Sequence, residues 1–197
     1  MSGALFDADD GANTPLSPEE RDGLIPTYIT TRNELNDAEH ANISDADRWA
    51  FIRKRDVLNQ TFLRALHKRM FGKVWRWAGT FSQESNRRIG VDSWRIALEL
   101  GDLIDTVQYW TAHQTYAPDE VAVRFHHRLT SIHAFPNGNG RHARLAADLL
   151  AASLQQRPFT WGRDGLVNAT DLRDRYVAAL HTADAHDIEP LLAFARS

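Results

Sequence analysis

Apolar residues recur at helical spacing along most of the chain. Leu58, Phe62, Leu66 and Met70 are spaced four apart and predict a helix within Trp49–Phe71. Ile96, Leu100, Leu103, Val107 and Trp110 alternate steps of four and three and predict a second. Pro118 opens a third, with Val121, Phe125, Leu129 and Ile132 on one face. A fourth resumes near Arg141, carrying Ala143, Ala146, Leu150 and Leu154. Thr170 and Asp171 cap a fifth with Leu172, Tyr176, Leu180 and Ala183, and a last short helix starts near Ile188 with Leu191, Leu192 and Phe194.

Start signals add two helices before these. Ser17-Pro18-Glu19-Glu20 combines a serine cap, a first-turn proline and a glutamate able to reach back. Thr30-Thr31 begins a helix running to about Asn42. Residues 1–16 read as a loose arm. Between positions 72 and 92 the helical stripe lapses. Gly72, Gly79 and Gly90 punctuate the segment, and Thr80-Phe81 with Arg88–Val91 predict a short hairpin. The expected class is mainly α, a helical bundle with one small β-hairpin.

Composition narrows the partners. A length of 197 residues suits one domain with its own core. The net charge of −3 offers no global basic field for nucleic acid. No apolar run is long enough for a membrane span. The absence of cysteine excludes disulfides and thiolate metal sites. With an acidic Met1–Thr14 that lacks a signal-peptide pattern, it favours the cytoplasm.

One stretch concentrates chemistry: His133-Ala134-Phe135-Pro136-Asn137-Gly138-Asn139-Gly140-Arg141-His142-Ala143-Arg144. Pro136 and the glycines force a turn between two helices. The backbone N–H groups of such a turn, and the helix N-terminus after it, attract an anion. Arg141 and Arg144, three apart, project from one face and suit a polyphosphate. His133 stands at the mouth of the turn and can take a proton from a hydroxyl. Taken singly, these parts are more often a plain helix connection with a structural histidine. Their coincidence within twelve residues reverses the odds.

The stretch closely resembles the signature of the Fic family, His-x-Phe-x-(Asp/Glu)-Gly-Asn-Gly-Arg-x-x-Arg, with Asn137 in the acidic position. Leu66-His67 to Trp77-Ala78-Gly79 resembles the family's segment before its flap, and Ala179-Leu180 to Phe194 its closing helices. Ile29 to Asn36, with Pro136-Asn137, resembles the mobile mystery protein B subgroup of bacterial mobile elements.

The resemblance implies a protein adenylyltransferase that moves AMP from ATP to a Ser, Thr or Tyr hydroxyl. His133 would be the general base and Phe135 the loop's anchor. Gly138, Asn139 and Gly140 would line an anion hole, with the Asn139 amide as a donor. Arg141 would hold the β- and γ-phosphates and Arg144 the γ-phosphate. The family's acid holds Mg²⁺, so Asn137 implies a weakly held ion, with ATP carrying most of its own Mg²⁺. A flap at about residues 80–91 would receive the target protein as an added strand. A regulatory partner and homo-oligomers also fit the family, whereas neither membrane nor direct nucleic-acid binding is expected.

Family members carry an inhibitory helix written (Ser/Thr)-x-x-x-Glu-(Gly/Asn). Thr30-x-x-x-Glu34-Leu35, in a helix over about 30–42, matches all but its last position and would pair Glu34 with Arg144. Thr31-x-x-Glu34 is also a plain capping box, and both readings stand. Trp75, Trp77 and Trp94 read as packing. His126, His127 and His142 read as structural, since no His-Glu-x-x-His pair accompanies them. Three rivals remain: a dinucleotide binder through Gly138-x-Gly140-x-x-Ala143, disfavoured because a helix precedes it; a nucleotide-binding regulator without catalysis; and transfer of another phosphate-containing group.

Overall fold

The structure, a computed structural model, describes residues 17–83, 89–163 and 169–197. The helical stripes become helices α1 (Pro18–Arg21), α2 (Arg32–Phe51), α3 (Gln60–Phe71), α4 (Ile96–Ala112), α5 (Pro118–Ile132), α6 (Asn139–Ser153), α7 (Ala169–Asp184) and α8 (Glu189–Arg196). A 3₁₀ turn, Ser93–Arg95, leads into α4.

Helix α5 is the central rod. Val121, Ala122, Val123, Phe125, Leu129 and Ile132 are all buried, most of them along one broad face. It packs against α4, α6 and α8. Its main partner, α6, buries Ala143, Ala146, Ala147, Leu150 and Ala151, and such small side chains let the backbones approach closely. Helices α2 and α3 form a second antiparallel pair, and both reach α6. The core is thus assembled around the two helices that flank the glycine-rich turn.

Two sequence expectations shift. Helix α2 continues past Asn42 to Phe51, and α3 starts at Gln60 rather than near Trp49. No proline or glycine interrupts residues 42–51, and Leu35, Glu39, Asn42, Ala46 and Ala50 keep one face buried. The true start of α3 is marked by Asn59, whose side chain accepts from the N–H groups of Thr61 (2.8 Å) and Phe62 (3.2 Å). Among the described residues the hairpin does not appear as paired strands. The β pairing present is a bridge between Leu24 and Trp75, flanked by Ile25 N–H to Val74 (2.8 Å) and Arg76 N–H to Gly23 (2.9 Å).

The stems of the expected flap do reach the glycine-rich turn. Ser82 N–H donates to the Ala134 carbonyl (2.9 Å), and Val91 N–H to the Ile132 carbonyl (3.2 Å). Gly90, at φ +102°, lies so close that a Cβ there would meet the Cβ of His133 at 2.7 Å. The hairpin tip with Arg87 and Arg88, and the N-terminal arm, lie outside the described residues. Trp75 is buried and Trp77 half-buried, as packing residues should be, but Trp94 is exposed at 74%. Among the described residues no helix is long and apolar enough to cross a membrane.

Candidate active site

The turn between α5 and α6 is built by two left-handed residues. His133 ends α5 at φ 54°, ψ 52°, and Gly138 caps α6 at φ 79°, ψ 5°. The first intrahelical bond of α6 runs from His142 N–H to the Gly138 carbonyl (2.9 Å). The N–H groups of Asn139, Gly140 and Arg141 therefore have no carbonyl one turn back, and no side chain caps them. They open into a cavity of about 450 Å³. Residues 137–141, His133 and Arg144 line one side of it. Trp161, Arg163, Leu172, Arg173, Tyr176 and Phe194 line the rest.

The interior holds the turn from behind. Phe135 is buried and stacks on His67 of α3, ring centroids 3.8 Å apart. Gly79 N–H donates to His67 Nδ1 (3.0 Å), which leaves Nε2–H to donate to the Asn137 carbonyl (3.0 Å). Burial holds the His67 imidazole well below its ordinary pKa, so it is neutral, as this bonding requires. The Asn139 carboxamide closes the loop on itself. It accepts from Phe135 N–H (2.9 Å) and donates to the Phe135 carbonyl (2.7 Å). The Asn139 side chain thus braces the turn, and its backbone N–H is the amide left at the start of α6.

His133, 9% exposed, lines the cavity beside the N-terminus of α6. Arg141 and Arg144 line the same cavity, with the Arg144 guanidinium 5.1 Å from the centre of the Tyr176 ring. The Tyr176 hydroxyl shares a hydrogen bond with His126 Nε2 (3.0 Å), and burial pushes His126 down to about 3. His126 is thus a neutral support beneath the cavity wall. His142 is similarly neutral, pushed down to about 4 by burial, with Nε2–H donating to the Leu63 carbonyl (2.9 Å).

Glu34 does not reach the site. Its carboxylate accepts from Thr30 N–H (2.8 Å), Thr31 N–H (2.9 Å) and the Thr30 hydroxyl (3.2 Å), and it is exposed. These bonds hold its pKa below the ordinary value. The Thr31-x-x-Glu34 segment is a capping box, with Thr30 adding to the same carboxylate. The acid that does reach an arginine lies further along the same helix. Glu39, 6% exposed, pairs through Oε2 with Arg141 Nη1 (2.6 Å) and accepts from the Trp75 indole through Oε1 (2.7 Å). Sequence reasoning missed it because no short motif marks a lone glutamate inside a helix. Its four-residue spacing from Leu35 on the buried face was the available signal.

The residues at the turn do not suit a divalent cation held by the protein. Asn137 Oδ1 accepts from Gly138 N–H (2.5 Å), and among the described residues no carboxylate lines the cavity and no cluster of acidic and histidine ligands occurs.

Residues 57–151, which contain α3 to most of α6 and the whole turn, match the Fic/DOC family. That match covers just under half of the chain. The likeness extends to protein adenylyltransferase fic-1 of Caenorhabditis briggsae, 30% identical over 97 residues, which is 48% of this chain and 18% of that protein. The C. elegans protein of the same name is 29% identical over 99 residues, 49% of this chain and 17% of its own. The chain therefore spans less than a fifth of these curated relatives. Solved Fic domains share the fold. The N-terminal Fic domain of a Bartonella quintana VirB-translocated effector superposes with a TM-score of 0.70 at 16% identity, over 90% of this chain and 91% of that one. The same kind of domain with bound ADP gives 0.67 at 17% identity, over 86% of each chain.

Proposed function

We propose that this chain is a Fic domain that transfers the AMP moiety of ATP to a Ser, Thr or Tyr hydroxyl of a protein. One observation carries the reading: His133, Arg141, Arg144 and the uncapped N-terminus of α6 line a single cavity. The likeness to proteins named adenylyltransferases supports the choice of AMP.

The step balances without further reactants. The target hydroxyl oxygen attacks the α-phosphorus, its proton passes to the His133 imidazole, and the bond between the α-phosphorus and the bridging oxygen breaks to release pyrophosphate. The N–H groups of Asn139 and Gly140 and the two guanidinium groups stabilise charge on the phosphates. The target lies against the stems at Ser82 and Val91, which meet the turn's backbone, and is received there by strand addition. We read residues 17–197 as one catalytic unit, acting in the cytoplasm. The mobile-element subgroup rests on the wording of residues 29–36 with Pro136-Asn137.

The enzyme is restrained in this conformation. Glu39 withholds Arg141 from phosphate, so α2 serves as the brake through Glu39 rather than Glu34. Asn137 favours a second reading, a nucleotide-binding regulator with weakened catalysis, because the position lacks the family's acid.

The test uses ATP labelled at the α- or the γ-phosphorus, with wild type and His133→Ala. Protein label from the α-position alone, lost in the variant, is expected. Label from the γ-position would replace AMP transfer by phosphate transfer. ATP binding without any transfer, in wild type and in Glu39→Gln, would favour the regulator.

A further inference from the structure

Trp161 lines the cavity from the segment between α6 and α7, outside any helix. It is buried, and its φ of 53° lies in the left-handed region, which a bulky side chain rarely adopts. Gly162 follows at φ +78°, so close to the cavity's far wall that a Cβ there would meet Leu172 at 2.4 Å and Phe194 at 2.9 Å. A strained pair of this kind persists only where its surroundings hold it, and such pairs gather at binding sites.

Restraints come from α8, α5 and α6. The N–H groups of Thr160 and Trp161 both donate to the Ala195 carbonyl at the end of α8 (3.0 Å each). The His126 ring of α5 packs against the indole, centroids 4.6 Å apart. Asp148 of α6 supplies the third. Its Oδ1 accepts from Phe159 N–H (2.9 Å) and from the Trp161 indole N–H (3.0 Å). One oxygen thus fixes the entry of the segment and the direction of the indole together. Asp148 stands one turn beyond Arg144. Helix α6 therefore carries the free N–H groups, both arginines and the acceptor that aims Trp161, so a single rod sets the spacing of two different walls. The wall at the start of α6 suits phosphate. The wall of Trp161, Leu172, Tyr176 and Phe194 is aromatic and apolar and suits a flat, weakly polar group.

We infer that Asp148 is a positioning residue of this cavity: by holding the Trp161 indole it shapes the wall that takes the nucleoside part of the nucleotide, and it leaves the phosphate wall untouched. This rests on the nucleotide reading of the same cavity. Asp148 meets no substrate itself and acts through Trp161.

Calorimetric titration of ATP and of inorganic tripolyphosphate into the whole chain at pH 8 tests this. Asp148 is ionised there, since burial raises its carboxyl only to about 6. All variants carry Glu39→Gln, so that the brake does not mask binding, and Glu39→Gln alone is the reference. Both ligands are expected to bind the reference. Asp148→Ala should weaken ATP about tenfold, the scale of a hydrogen bond to a charged group, and tripolyphosphate less than about twofold. Asp148→Asn keeps an oxygen for both donors and should bind ATP within about threefold of the reference. Trp161→Phe keeps a ring in the core but loses the N–H, and it should repeat the selective loss of ATP even where Asp148→Ala folds poorly. Thermal melting reports folding for each. Equal loss of the two ligands, ATP binding unchanged in both Asp148→Ala and Trp161→Phe, or a reference that binds ATP but not tripolyphosphate would overturn the inference and leave the nucleotide reading standing. A reference that does not bind ATP would overturn both.

Discussion

Glu39 is buried, charged and bonded on both oxygens, a combination that stays in an interior only when its partners are fixed. The Glu39→Gln substitution separates its two bonds. Glutamine keeps an oxygen for the Trp75 indole and gives up the charge that holds Arg141. Because the Arg141 side chain is 30% exposed, the freed guanidinium has water and the cavity to turn to, so the fold should survive with a small loss of Tm. Automodification with α-labelled ATP should rise several-fold, on the order of one charge-assisted hydrogen bond released to substrate. Glu34→Gln, at the exposed cap, should leave transfer unchanged. Equal transfer by wild type and Glu39→Gln, with a large drop in Tm, would make Glu39 a structural strut instead.

At the scale of elements, the site is one turn clamped between two helices and propped by two more. Gly138 shows how tight the clamp is. It sits at φ +79°, and a Cβ there would lie 2.5 Å from the Phe71 ring at the end of α3. Gly138→Ala adds left-handed strain of about 1–2 kcal/mol to overpacking of about 1–3 kcal/mol. We expect a melting temperature several degrees lower, and ATP binding weakened further than stability alone explains, because the cap sets the direction of the free N–H groups of α6. A melt unchanged from wild type would mean that Phe71 moves aside at no cost. Much of this element was legible in the sequence. The apolar stripes located α4, α5 and α6, and Pro136 with its glycines located the turn, since these are local rules of period and backbone freedom. The props were not legible. His67 meets Asn137 across 70 positions and Glu39 meets Arg141 across 102, and neither pairing leaves a local trace. The end of α2 was misplaced for a related reason. Beyond Asn42 its buried face holds only Ala46 and Ala50, too small to extend a hydrophobic stripe.

Across the whole molecule, three imidazoles are buried and neutral: His67, His126 and His142. Each has a folded pKa below the ordinary 6.5, to about 3 for His126 and about 4 for His142. The unfolded chain therefore binds more protons than the folded one just below pH 6.5, and stability present above that value is lost as the pH falls. Asp148 works the other way. Burial pushes its carboxyl up to about 6 from 3.8, so the folded chain holds a proton there that the unfolded chain lacks between those values. Its contribution is full below 3.8 and lost as the pH rises through about 6. Near pH 5 three groups oppose one, and the balance favours acid unfolding, with a slope of about two protons, or roughly 2.7 kcal/mol per pH unit, from these four groups. Asp148→Asn removes the opposing group while keeping an oxygen for Phe159 N–H and the Trp161 indole. Its stability should be closer to wild type at pH 5 than would follow from simple acid loss only if Asp148 were already charged there. With Asp148 neutral at pH 5 and charged at pH 7, the variant should instead gain on wild type as the pH rises and fall more steeply as it drops, by about one further proton in the slope. Denaturant unfolding at intervals between pH 7 and pH 5 measures both slopes, and parallel curves for the two proteins would remove Asp148 from the balance.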